Sequence, residues 1–122
     1  MAKTVISGGP GTGKTTLANQ MDSKAVHTDD FIPHGWDGAI EKTAALLGES
    51  GPAVVEGVAV VRGLRKWLAD HPTGKPCDEL LWMADPKEPR IKGQVVMAKG
   101  CETVLKEILP ELQRRGVVVK RR

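Results

Sequence analysis

The sequence predicts an α/β fold, with a five-stranded parallel sheet flanked by helices on both faces in three layers. Three observations predict it. Short apolar runs alternate with segments of helical periodicity five times along the chain. The first run, Thr4-Val5-Ile6-Ser7, leads through a glycine-rich octet (Gly8-Gly9-Pro10-Gly11-Thr12-Gly13-Lys14-Thr15) into a helix-forming stretch. The length, 122 residues, suits one domain with one hydrophobic core and leaves no room for the second domain of a large ATPase.

Taken in order, Lys3 to Ser7 is the first strand, and Lys14 to about Ser23 the first helix. Ala25-Val26-His27-Thr28 reads as the second strand, ending at Asp29-Asp30, and Phe31 to Gly35 as a loop. From Trp36 or Asp37 to Gly48, the residues Ala39, Ile40, Thr43, Ala44 and Leu47 recur at helical spacing, and Gly48 to Pro52 stops that helix. Ala53-Val54-Val55 is a buried strand ending at Glu56-Gly57, and Val58 to Val61 either extends it or forms a loop. Leu64 to Ala69 is a short helix closed by His71-Pro72. Asp78 to Met83 is the fourth strand. Asp85 to Gly100, polar and containing Pro86, Pro89 and Gly93, reads as a loop plus a short helix. Cys101 to Arg115 is a helix that Pro110 should bend or restart, and Gly116-Val117-Val118-Val119 is the fifth strand.

Hydrophobic residues make up 40% and charged residues 27%, as in an ordinary soluble globular protein. No apolar run approaches the length of a membrane span, so no membrane partner is expected. The N-terminus runs straight into a strand, and no signal peptide is expected. Cys77 and Cys101 lack metal-ligand spacing, which points to a reduced, cytoplasmic protein. The net charge of +3 is mild. The basic end, Arg114-Arg115 and Lys120-Arg121-Arg122, suits a nucleic acid or an anionic substrate, but a solvated tail explains it equally well and nucleic acid is not the favoured partner.

The octet fits G-x-x-x-x-G-K-[ST] at every fixed position. Its glycines would let backbone N–H groups curl around a phosphate, with the positive end of the following helix aimed at the same anion. Gly8 to Thr15 and Thr16 are therefore the expected nucleotide-binding residues, Lys14 reaching the β- and γ-phosphates and Thr15 holding Mg²⁺. In parallel sheets ligands sit beyond the carboxyl ends of the strands, and there the topology gathers Lys14, Asp29-Asp30 and Glu56. Phosphoryl transfer needs one carboxylate to take the acceptor proton and another to help hold the metal, and Asp29, Asp30 and Glu56 are the candidates. Arg62 and Arg65 are candidate sources of charge for donor or acceptor. His27, His34 and His71 form no ligand set by spacing, and core or surface roles are expected for them.

The octet, Asp29-Asp30-Phe31, Trp36-Asp37 and Val54-Val55-Glu56-Gly57 occur in an order that resembles the phosphate-loop kinases of the uridine kinase and nicotinamide riboside kinase group. The resemblance covers roughly residues 3–60. It implies a three-layer P-loop NTPase fold over 1–122 and a kinase using ATP and Mg²⁺ on the hydroxyl of a small acceptor such as a nucleoside or nucleotide. It further implies Lys14 and Asp29 as catalytic residues, Asp29 being the acceptor-side base near the metal. Glu56 would bind metal-bound water or the acceptor, and Trp36 and Asp37 would line the acceptor pocket; Asp30, Arg62 and Arg65 are further acceptor-side candidates from the residues themselves. The group carries an arginine-rich lid after strand four; here the stretch from Pro86 to Gln94 has one arginine, so Arg90, with Lys92, is the lid candidate over 85–100. Polynucleotide 5′-hydroxyl kinases are similar in the octet and the acidic pair, but Ile32 stands where they place an arginine. The octet also resembles those of ATPases and nucleotide switches, although strand three lacks their D-E ending.

Overall fold

In the computed structural model, residues 3–121 are described apart from Pro10, Glu49 and Glu88, and for His34 the backbone alone. Pro10 of the predicted nucleotide-binding set therefore lies outside the described residues. Five strands, β1 (Thr4–Gly8), β2 (Val26–His27), β3 (Val54–Glu56), β4 (Glu79–Met83) and β5 (Val118–Arg121), form one sheet in the order β2-β3-β1-β4-β5. Every pairing is parallel. The crossovers hold α1 (Lys14–Met21), α2 (Trp36–Ala45), α3 (Val60–Asp70) and α4 (Lys92–Arg114).

The twofold alternation of strand side chains divides the core into two layers. Val5, Val55 and Leu80 point to the face covered by α3 and α4, where they meet Val60, Leu64, Leu105 and Leu112. Ile6, Val54, Leu81 and Met83 point to the other face, where Leu17 and Ala18 of α1 cover them. α2 lies against α3, and the two helices approach closely at Gly63, where a Cβ would sit 2.7 Å from Thr43 Cγ2. Glu56 has the parity of Val54, so its side chain emerges on the α1 face at the end of β3.

Four segments differ from the sequence expectation. The loop predicted over Phe31 to Gly35 belongs to a 3₁₀ helix over Thr28–His34, which continues directly from the short β2. Val58 to Val61 neither extends β3 nor forms a loop throughout, because α3 begins at Val60. Gly57 separates the two elements: its φ is 143°, and a Cβ there would fall 1.7 Å from Thr28 Oγ1. Burial on all sides overrides the strand preference of these β-branched residues. The loop expected from Asp85 runs as far as Ile91, and the short helix expected before Gly100 is continuous with the one expected from Cys101, so that a single 23-residue α4 starts at Lys92 and does not restart at Pro110. The stripe Cys101, Val104, Leu105, Ile108 and Leu112 stays buried on both sides of Pro110. At about 1.5–3 kcal/mol for each fully buried aliphatic side chain, that stripe outweighs the roughly 3 kcal/mol proline penalty. The fifth strand starts two residues later than predicted, since Gly116 and Val117 still bond back to Gln113 and Leu112 carbonyls.

Burial is the main reason the Cys77 thiol is pushed up to about 12, with the negative charge of Asp78 next. An unfolded thiol ionises near pH 8.5. Cys77 therefore stabilises the fold below that pH and loses its contribution as pH rises toward its folded value, because the unfolded state releases the proton first. Urea denaturation from about pH 8 to about pH 10 should show wild type losing more stability than Cys77→Ala. Identical pH slopes in the two proteins would contradict this.

Candidate functional site

The glycine-rich connection between β1 and α1 is held in shape by close approaches. A Cβ at Gly9 would fall 2.5 Å from Ala98 Cβ of α4, so only glycine fits there. Gly13, with φ 87°, is the N-cap of α1 in a left-handed conformation and offers no side-chain cap, so the first N–H groups of the helix face the connection uncapped. Lys14 is 8% exposed. Its Nζ donates to Gly9 O at 2.7 Å and to Thr12 Oγ1 at 3.4 Å, and Thr12 Oγ1 donates to Gly9 O at 3.1 Å. Burial lowers the Lys14 pKa; the negative charges of Glu56 and Asp29 oppose that shift and the positive charge of Arg90 adds to it.

Across from Lys14, Glu56 is 1% exposed. Its Oε1 accepts from Thr15 Oγ1 at 3.1 Å and from His27 Nδ1 at 2.9 Å. A carboxylate only accepts, so His27 carries a proton on Nδ1. The other ring nitrogen, Nε2, sits 3.1 Å from the Asn19 side-chain amide of α1. Glu56 Oε2 is buried and has no hydrogen-bond partner among the described residues.

Lys14, Thr15 and Glu56 border a cleft of about 550 Å³ beyond the carboxyl ends of β1, β2 and β3. Gly11, Thr12, Gly13, Lys14, Thr15 and Thr16 form one wall, Asp29 and Glu56 the acidic side, and Ile32, Trp36, Val58 and Met97 an apolar side. Of the expected site residues, Lys14, Thr15, Thr16, Asp29, Glu56 and Trp36 thus meet in one place. Gly8 and Gly9 are buried beneath the connection. Asp30 and Asp37 are exposed and do not line the cleft. Arg62 lies behind it, its guanidinium carbon 5.2 Å from the Trp36 ring centroid and its NH1 3.8 Å from Cys101 Sγ. Arg65 does not line the cleft and pairs with Glu107 at 3.5 Å. Arg90 lies on the opposite side of Gly9, in a smaller depression shared with Trp82, Ala98 and Lys99.

A cavity of about 610 Å³ at the amino ends of the strands is larger but chemically quieter. Its buried cation, Lys3, donates to the Leu46 and Ser50 carbonyls. The cleft holds two carboxylates and a buried lysine that converge, and on that ground it is the functional candidate.

His27 is the residue that sequence reasoning missed. The parallel register places it directly beside Glu56, and that register becomes visible only once β2 is known to neighbour β3. Met97 and Val58 were also missed: the sequence read Val58 as extending the third strand or lying in a loop, and Met97 as part of a loop plus a short helix. Among the described residues, no three His, Cys, Asp or Glu side chains cluster as a metal-binding set. No protein-family model matches this chain, and no curated protein matches it in sequence.

Removing the His27 ring would strip Glu56 of one donor while keeping the carboxylate buried. His27→Ala should therefore cost about 1–3 kcal/mol in urea denaturation, and His27→Gln, which keeps an N–H donor, should recover part of it. Unchanged stability in His27→Ala would contradict the bond's importance.

Proposed function

We propose that this chain is a P-loop kinase-like domain that moves the γ-phosphoryl group of Mg·ATP to the hydroxyl of a small acceptor. The observation that carries the reading is one cleft with Lys14 and Thr15 on a glycine-rich connection facing the carboxylates of Glu56 and Asp29. The all-parallel sheet flanked by helices is compatible with a P-loop NTPase fold. No helix among the described residues is long and apolar enough to cross a membrane. Two buried free cysteines suit a reducing, cytoplasmic setting.

On the donor side, backbone N–H groups from Gly11 to Thr15 and the N-terminus of α1 would bind the phosphates, and Lys14 would turn its ammonium from Gly9 O to a phosphate oxygen. The residues present fit Mg²⁺: Thr15, Glu56 and Asp29 line one cleft with hard oxygen donors, and the buried Glu56 Oε2 has no hydrogen-bond partner among the described residues. Bound there, the ion would neutralise charge on the transferring phosphates. His27 holds Glu56 in orientation from the β2 side.

On the acceptor side, Asp29 is exposed to the cleft and would accept the proton of the acceptor hydroxyl. Ile32, Trp36, Val58 and Met97 form an apolar wall that an acceptor could cover, excluding water from the transfer. That wall favours an acceptor-using enzyme over an ATPase or switch, which would leave it bare. Among the described residues no arginine lines the cleft to meet an anionic polynucleotide end, and Ile32 is part of its wall.

The test is ADP formation from Mg·ATP with and without nucleosides, nucleoside monophosphates, sugars and 5′-hydroxyl oligonucleotides. One acceptor class should stimulate turnover. Lys14→Ala should abolish nearly all of it with the fold retained, and Asp29→Asn should lower it about 10²-fold or more while nucleotide binding persists. Undiminished transfer in Lys14→Ala would overturn the reading.

A further inference from the structure

The β4–α4 connection is docked on the glycine-rich loop at two points. The Lys87 backbone N–H donates to Gly11 O at 2.7 Å. Further along, Gly9 is covered so closely that a Cβ there would fall 2.9 Å from Arg90 NH2 and 2.5 Å from Ala98 Cβ. The side chain of Lys87 then arches over Gly13, where a Cβ would lie 3.4 Å from Lys87 Cε and 3.8 Å from its Cγ. This brings the stem of a second lysine over the N-cap of α1, beside a loop that already contains Lys14.

Among the described residues, no carboxylate pairs with Lys87, although the other salt bridges of the chain engage Lys66, Lys75, Lys106 and Lys120. An exposed lysine gains nothing by lying on an uncapped helix N-terminus, whose partial charge is positive. The arrangement becomes favourable when an anion occupies the loop, because loop N–H groups, helix end and ammonium then share one ligand. The backbone bond to Gly11 fixes the root of the side chain, so little ordering remains to be lost on binding.

We propose that Lys87 is a second phosphate-binding ammonium of this site, presented by a connection already seated on the loop and not by a swinging lid. The inference rests on the kinase reading for the identity of the ligand, a polyphosphate chain. It gives the phosphate contact to Lys87, in the stretch where the sequence named Arg90, with Lys92, as the lid candidate.

The experiment compares the affinity of wild type, Lys87→Met, Lys87→Arg and Lys106→Met for a non-hydrolysable ATP analogue with Mg²⁺, for tripolyphosphate and for adenosine. Lys87→Met keeps the stem and the backbone bond and removes only the charge. It should weaken binding of the analogue and of tripolyphosphate about tenfold, with a shallower salt dependence, and should bind adenosine as wild type does. Lys87→Arg should stay close to wild type, and Lys106→Met, on the outer face of α4, should match it. Wild-type affinity of Lys87→Met for both polyphosphate probes would overturn the inference and leave the kinase reading standing. Failure of wild type itself to bind any of the probes would overturn both.

Discussion

A carboxylate buried at the end of an interior strand must be neutralised by its neighbours, and Glu56 imposes that demand on everything around it. Burying the ionised group without partners would cost several kcal/mol. One oxygen is satisfied by Thr15 from α1 and by His27 from β2, so three separate elements are fixed relative to one another by a single side chain. Gly57 follows at once, and the lack of room beside Thr28 lets the chain leave β3 only through glycine. The second oxygen is buried and keeps no protein partner among the described residues, in a residue that lines the cleft.

The sheet's alternation explains why this carboxylate is available at all. Val54 and Ile6 on the α1 face are covered by Leu17 and Ala18, and the next inward position on β3 is Glu56, beyond the apolar cover. α1 is short and begins at Lys14, so the helix that closes the core also brings its own N-terminus to the strand end. Core packing and site assembly are thus consequences of one register, Ile6 opposite Glu56. On the opposite face α3 and α4 bury Val5, Val55 and Leu80; the turn before α3 sends Val58 to the cleft, and α4 sends Met97.

Much of this was legible in the sequence. The alternation of apolar runs with helical periodicity indicated the parallel sheet, and the octet with Asp29 and Glu56 at strand ends marked one edge of it. What stayed hidden depended on tertiary contacts. The Val58 to Val61 run has strand chemistry but sits in a buried turn and helix start, because Gly57 ends the strand. The helix through Gly93, Gly100 and Pro110 exists because its buried stripe outweighs three poor helix formers. His27 carries no signal in a single sequence, since its partner is 29 positions away and becomes its neighbour only through parallel pairing. Arg65 looked equivalent to Arg62 in sequence and shares its side of α3, yet one turn further along it meets Glu107 of α4, where Arg62 meets Cys101.

The central claim is that Glu56 completes a metal-assisted phosphate site. It is tested most directly by the Mg²⁺ dependence of binding of a non-hydrolysable ATP analogue, measured calorimetrically in wild type and Glu56→Gln. Mg²⁺ should tighten binding to wild type about tenfold or more, and that gain should vanish in Glu56→Gln while metal-free binding is kept or strengthened, since a negative charge has left the cleft. An equal Mg²⁺ gain in both proteins would contradict the account.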